Sequence, residues 1–226
     1  IHQNIKDKIR CNRKITSISK IGNFYEITVN NDIKYQCRKL ICTIPAHALS
    51  EIIFDKKLSQ TLKKISYCPI YVLHLGLEKQ KIKNDISGFG VLTKPSDNKN
   101  FLGIIFNSRI FPHVAPSERD LITVMVGGTR QEELLKTDKD LLFDKILRDV
   151  RKLISYDGRI IMKHDYLWDK GIPQYGLNHD DIINEIKNFE NRNKGFHIMG
   201  NYINGISVSD CIEKASVISK ILWSKK

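Results

Sequence analysis

From Phe24 to Val29 apolar and polar residues alternate, and the alternation breaks at Asn30-Asn31-Asp32 and returns from Ile33 to Cys37. That period of two around a turn-forming triplet predicts a β-hairpin. Upstream, KITSISKIGNFYEITV (14–29) reads as a strand pair interior to a sheet. RKLICTI (38–44) predicts a short apolar strand stopped by Pro45, after which AHALSEII can start a helix. Further short apolar runs predict strands at 70–77, 89–93, 101–106 and 121–126, most with Gly or Pro beside them. The period then lengthens. Leu142, Ile146, Val150 and Leu153 follow helical spacing and predict a helix over about 138–154, followed by a strand over 159–168. Asn178 can cap a second helix whose first turn carries Asp180 and Asp181. In a last helix Cys211, Ala215, Ile218 and Leu222 share one face, and Ser207 with Asp210 resembles a capping box with Asp in place of Glu. Strands and helices mix without strict alternation, so the fold class is α+β / α/β.

With 226 residues, 41% of them hydrophobic, the chain can build one large or two modest globular domains. No apolar run reaches the roughly 18 to 20 residues that cross a bilayer, and the first residues lack a signal-peptide core, so a cytoplasmic protein is expected. The five cysteines include no Cys-x-x-Cys, which supports neither a disulfide framework nor a zinc site. His113, His179 and His197 have no metal or catalytic spacing. The net charge of +12 comes from scattered basic residues without an aromatic-basic motif, so nucleic acid is not expected. A Lys, Ile and Asn-rich composition accounts for much of the charge, and attraction to an anionic membrane face is the next explanation.

One stretch carries candidate chemistry. GNYINGISVSDCI (200–212) reads as a strand end, a glycine-broken turn and the first turn of a helix without a basic residue. Close backbone approach at a positive helix end suits an electron-rich ligand, yet the segment alone does not say which.

Three separated stretches together resemble the FAD-dependent protoporphyrinogen oxidases of the flavin amine-oxidase superfamily. They are 88–128 with FPHVAP and the start of VGGTR, then WDKGIPQYGLNH, and finally GNYINGISVSDCI. The resemblance covers nearly all of the chain and implies about the C-terminal half of such an enzyme. The expected architecture is the C-terminal part of an FAD-binding, Rossmann-like domain from residues 1–45 and 160–226, with an inserted mixed-sheet substrate domain at 46–159. The family's G-x-G-x-x-G fingerprint is absent from these residues, so the chain by itself is expected to bind FAD weakly or not at all.

The resemblance also assigns sites. Gly200, Asn201, Gly205, Ile206, Ser207 and Val208 match the flavin-contacting turn, where the two glycines would let the cofactor approach. Trp168 matches another flavin-contacting position and Ile15 a strand residue beside the adenosine half; without the resemblance both read as packing residues. Leu92, Ile105 and Met125 match apolar walls of a tetrapyrrole pocket, although each is also a plausible core residue. The implied reaction takes hydride from a methylene bridge of protoporphyrinogen IX, with loss of a pyrrole proton, in haem biosynthesis. It needs no acid-base pair from this chain, because the cofactor carries the chemistry. The implied partners are the porphyrinogen substrate, a second copy in a homodimer and peripheral contact with the inner face of the cell membrane. Two other readings stay open: a related flavin oxidase acting on coproporphyrinogen or an amine, and a non-catalytic fragment lacking the dinucleotide-binding half.

Overall fold

Strand and helix periods combine in one core where the sheet meets its helix. The computed structural model describes residues 2–84 and 88–223. In chain order the first elements are α1 (His2–Ile5), β1 (Ile15–Ile21), β2 (Phe24–Val29), β3 (Ile33–Cys37), β4 (Leu40–Cys42), α2 (Ala46–Ile52) and α3 (Lys56–Leu62). Next come β5 (Tyr67–Glu78), β6 (Gly90–Leu92), β7 (Gly103–Ile105), α4 (Asn107–Ile110), β8 (Arg119–Gly127), α5 (Lys139–Ile154) and β9 (Ile160–Pro173). The chain closes with α6 (His179–Arg192), β10 (Phe196–Ile198) and α7 (Val208–Trp223).

These elements form two units, Ile1–Ser66 with Pro173–Lys226, and Tyr67–Ile172. The chain therefore changes units at 66/67 and 172/173, later at both places than the expected 45/46 and 159/160. The first shift arises because α2 and α3 stay with α6, where Lys57 on α3 bonds Glu185 at 2.5 Å. The second arises because β9 stays with the other unit, as the edge strand of its sheet, up to Ile172.

In the first unit β1, β2 and β3 form an antiparallel meander. Its β2–β3 turn places Asn30 and Asn31 at φ 51° and 67°, left-handed values that asparagine tolerates better than most residues. Behind the meander Tyr25, Phe189 and Phe196 pack edge to face, with ring centroids 5.2 and 5.1 Å apart. Asp55 caps α3, accepting from the Leu58 amide at 2.8 Å. Asn178 precedes α6 but makes no side-chain cap bond, so only the first-turn acids match that expectation. β4 and β10 pair in parallel, and the chain leaves β10 directly into residues 199–207.

In the second unit the sheet runs β6-β7-β8-β5-β9. One face carries Leu73, Leu75, Leu77, Ile104, Ile122, Val124 and Val126, all buried against the Leu142, Ile146, Val150 and Ile154 stripe of α5. Asp138 caps α5, accepting from Asp140 N and Leu141 N at 3.0 and 3.1 Å. Leu153 is only partly buried, and Ile154 completes the stripe instead. Among the described residues no helix is long and apolar enough to cross a membrane.

Candidate functional site

The turn between β10 and α7 is held almost entirely by polar bonds from its own unit. Tyr202 is fully buried and its hydroxyl donates to the Ile44 carbonyl at 3.3 Å, anchoring the middle of the turn. Met199 N extends the parallel pairing by donating to Cys42 O at 2.8 Å. Tyr175 bridges the turn: its hydroxyl donates to Asn201 O and accepts from Gly205 N, both at 2.9 Å. Lys214 reaches back from α7 and donates to the carbonyls of Ile203, Gly205 at 3.0 Å and Gly200 at 3.5 Å. Neither Tyr175's hydroxyl nor Lys214 stands out in the sequence.

The expected capping box is present. Asp210 Oδ2 accepts from Ser207 N at 2.9 Å and Ser207 Oγ at 2.6 Å, while Asp210 N donates to Ser207 Oγ at 3.1 Å. Those two Ser207 donors hold the Asp210 carboxyl below its ordinary pKa. Before the box, Gly205 lies at φ 129°, a conformation that glycine adopts freely.

Both glycines prove to be required by the chain itself. A Cβ on Gly205 would lie 2.5 Å from Asp210 Cγ, and one on Gly200 would lie 2.4 Å from Tyr202 Cε1. Cofactor approach is therefore not needed to explain them.

What the turn offers a ligand is different: Ile206 and Val208 stand 44% and 77% exposed beside the start of α7. The Val208 and Ser209 amides there find no partner among the described residues. Apolar side chains beside unpaired amides at a helix N-terminus suit a flat, electron-rich ligand. Ile15 lies in the same unit but on β1, half-buried opposite Val29, outside this hydrogen-bonded set.

The remaining candidates fall in the second unit. Strand register pairs Leu92 with Gly103, Gly103 with Met125, and Met125 with Val72. Ile105 pairs with Thr123, and Thr123 with His74. Directly paired residues in antiparallel strands project from the same face, so Leu92, Ile105 and Met125 share the face opposite the core. Leu92 is 82% exposed there, so none of the three is a core residue of the α5 side. Trp168 belongs to β9 in this unit, its ring 4.5 Å from Tyr166, and so is grouped with the wall candidates' sheet and not with the turn at 200–208.

Tyr175→Phe deletes both bridging bonds while leaving the ring, and is expected to lower stability by about 1 kcal/mol. Urea unfolding with an unchanged slope and a lower midpoint checks this; an unchanged midpoint contradicts it.

The chain is 34% identical over 154 residues to protoporphyrinogen oxidase 2, chloroplastic/mitochondrial, of Arabidopsis thaliana, covering 67% of this chain and 30% of that one. It is 30% identical over 219 residues to a protoporphyrinogen oxidase of Dictyostelium discoideum, covering 84% and 41%. A crystal structure from Exiguobacterium sp. 255-15 superimposes with a TM-score of 0.80 at 17% identity, covering 96% of this chain and 48% of that one, a likeness of fold. The chain thus spans less than half the length of these relatives. The family model described as flavin containing amine oxidoreductase matches residues 1–216, and FAD is the cofactor it implies. By that match, the chain belongs to the flavin-containing amine oxidoreductases.

Proposed function

We propose that the whole protein oxidises protoporphyrinogen IX to protoporphyrin IX in haem biosynthesis, and that this chain supplies a flavin-facing turn and a tetrapyrrole-binding wall. The observation that carries the reading is the shared face of Leu92, Ile105 and Met125. That face, which also carries His74 and Thr123, presents apolar side chains on three adjacent strands, as a flat hydrophobic macrocycle needs.

Ile206, Val208 and the first amides of α7 would hold the flavin, with Ser207 fixing the turn and Ile15, on β1 of the same unit, as the further contact. FAD, when bound, supplies the hydride acceptor. The residues of this chain position the substrate and keep water from the apolar wall. The unit containing the 200–208 turn would serve as the C-terminal part of the FAD-binding domain, and the five-stranded unit as the substrate domain. A net charge of +12 would favour peripheral contact with an anionic membrane face.

Met125→Ala, made in the protein extended to the length of its relatives, is expected to raise KM for protoporphyrinogen several-fold with little change in kcat. The lost wall contact contributes to ground and transition states alike. Steady-state porphyrin fluorescence reads this out. An unchanged KM would remove Met125 from the substrate wall.

A further inference from the structure

Among the described residues no group of three or more His, Cys, Asp or Glu side chains could hold a metal ion. One imidazole is nevertheless set up as metal ligands are. His74 stands on the open face of β5, directly opposite Thr123, with Val72 and Gly76 as its neighbours on that face. His74 Nδ1 lies 2.8 Å from Thr123 Oγ1, and Thr123 Oγ1 donates to Asn107 Oδ1 on α4 at 2.7 Å. A threonine hydroxyl has one proton, and here it goes to Asn107. With the Asn107 amide in this orientation Thr123 Oγ1 accepts from His74, which puts the hydrogen on Nδ1 and leaves Nε2 its lone pair. Among the described residues Nε2 has no hydrogen-bond partner. A histidine whose Nδ1–H is fixed by an oxygen and whose Nε2 is free is oriented and made more basic for coordination.

The surroundings keep this ring neutral. Burial first, and then the neighbouring His164, hold the His74 pKa below its ordinary value. The His164 ring stacks 6.2 Å away from β9. Three nearby charged groups are engaged elsewhere. Lys163 Nζ sits 3.9 Å over the Phe143 ring and Asp165 bonds Lys139 at 3.2 Å, both toward α5. Glu78, beyond Gly76 on the His74 face, pairs with Arg119 at 3.8 Å.

We propose that His74 Nε2 is the single protein ligand of a metalloporphyrin lying flat on this sheet face. A bare divalent ion needs three or four protein ligands and finds only one here. A metalloporphyrin brings four equatorial nitrogens and needs one axial donor, which a neutral imidazole supplies. The face around His74 suits the macrocycle: Val72 precedes it on β5 with Met125 opposite on β8, Ile105 lies beyond Thr123, and Met162 lies beside Gly76. Binding exchanges a water on the metal for the imidazole, and no electrons move. The proposal rests on the tetrapyrrole-wall reading above. It adds that the product of metal insertion into the oxidised macrocycle competes with the porphyrinogen for the same face.

The test titrates the 226-residue chain with ferric protoporphyrin and with metal-free protoporphyrin IX, for wild type, His74→Ala and His164→Ala. Wild type should show the Soret band of an imidazole-ligated ferric porphyrin. His74→Ala should lose that band and weaken ferric porphyrin binding by at least about tenfold, while metal-free binding changes less than about twofold. His164→Ala should keep the band. A band that survives His74→Ala, a band lost in His164→Ala, or equal losses for both porphyrins would overturn the axial ligand and leave the wall reading standing. If wild type binds neither porphyrin, both fall.

Discussion

Gly205→Val, in the protein extended to its relatives' length, should empty the flavin site, whereas Met125→Ala should leave it filled. Gly205 lies at φ 129°, a conformation that a branched residue adopts only under strain. Its Cβ would also fall 2.5 Å from Asp210 Cγ. Asp210 cannot yield without releasing Ser207, whose amide and hydroxyl it binds at 2.9 and 2.6 Å. Valine therefore disrupts the turn and the start of α7 together, at a cost of about 3 kcal/mol or more. Met125 is on the other unit's sheet, where truncation only opens a half-exposed wall. Bound flavin per chain distinguishes the two. Flavin lost from Met125→Ala and kept in Gly205→Val would reverse the assignment of cofactor and substrate faces.

Lys214→Met should be nearly as damaging. Its ammonium is the common donor to the carbonyls of Gly200, Ile203 and Gly205, three points along one short turn. Methionine keeps the length and apolar stem but leaves those carbonyls to water. Bonds from a charged donor are worth about 1.5 to 3 kcal/mol each, and since the three share one ammonium and one is 3.5 Å long, a total near 3 kcal/mol is expected. Arginine should not rescue it, because a planar guanidinium cannot converge on three carbonyls as an ammonium does. Urea unfolding and flavin retention report the loss; wild-type values in both would show the lysine to be incidental.

Lys214 also marks where the sequence stops being readable. The stripe of Cys211, Ala215, Ile218 and Leu222 predicts the inward face of α7, yet Ala215 is exposed and Lys214 is half-buried. Apolar periodicity cannot register a turn whose carbonyls need a cation. Elsewhere the local signals were sufficient: the asparagine turn set the β2–β3 hairpin, the helical stripe set α5, and Ser207 with Asp210 set the start of α7. α3 and β10 escaped because each is short, seven and three residues, although Asp55 was a readable cap. Leu92, Ile105 and Met125 came only from resemblance, since a shared face depends on cross-strand register that one sequence does not reveal. His74 escaped for the same reason, because its threonine partner lies on another strand.

The central claim is that these residues serve porphyrinogen oxidation by a flavin. The most direct measurement supplies the flavin-loaded protein, extended to the length of its relatives, with protoporphyrinogen IX, coproporphyrinogen III and a primary amine in turn. Porphyrin fluorescence and flavin reduction are followed together. Rapid flavin reduction with protoporphyrin formation, faster than with coproporphyrinogen and absent with the amine, is the predicted result. Flavin reduced by the amine while both porphyrinogens leave it oxidised would contradict it.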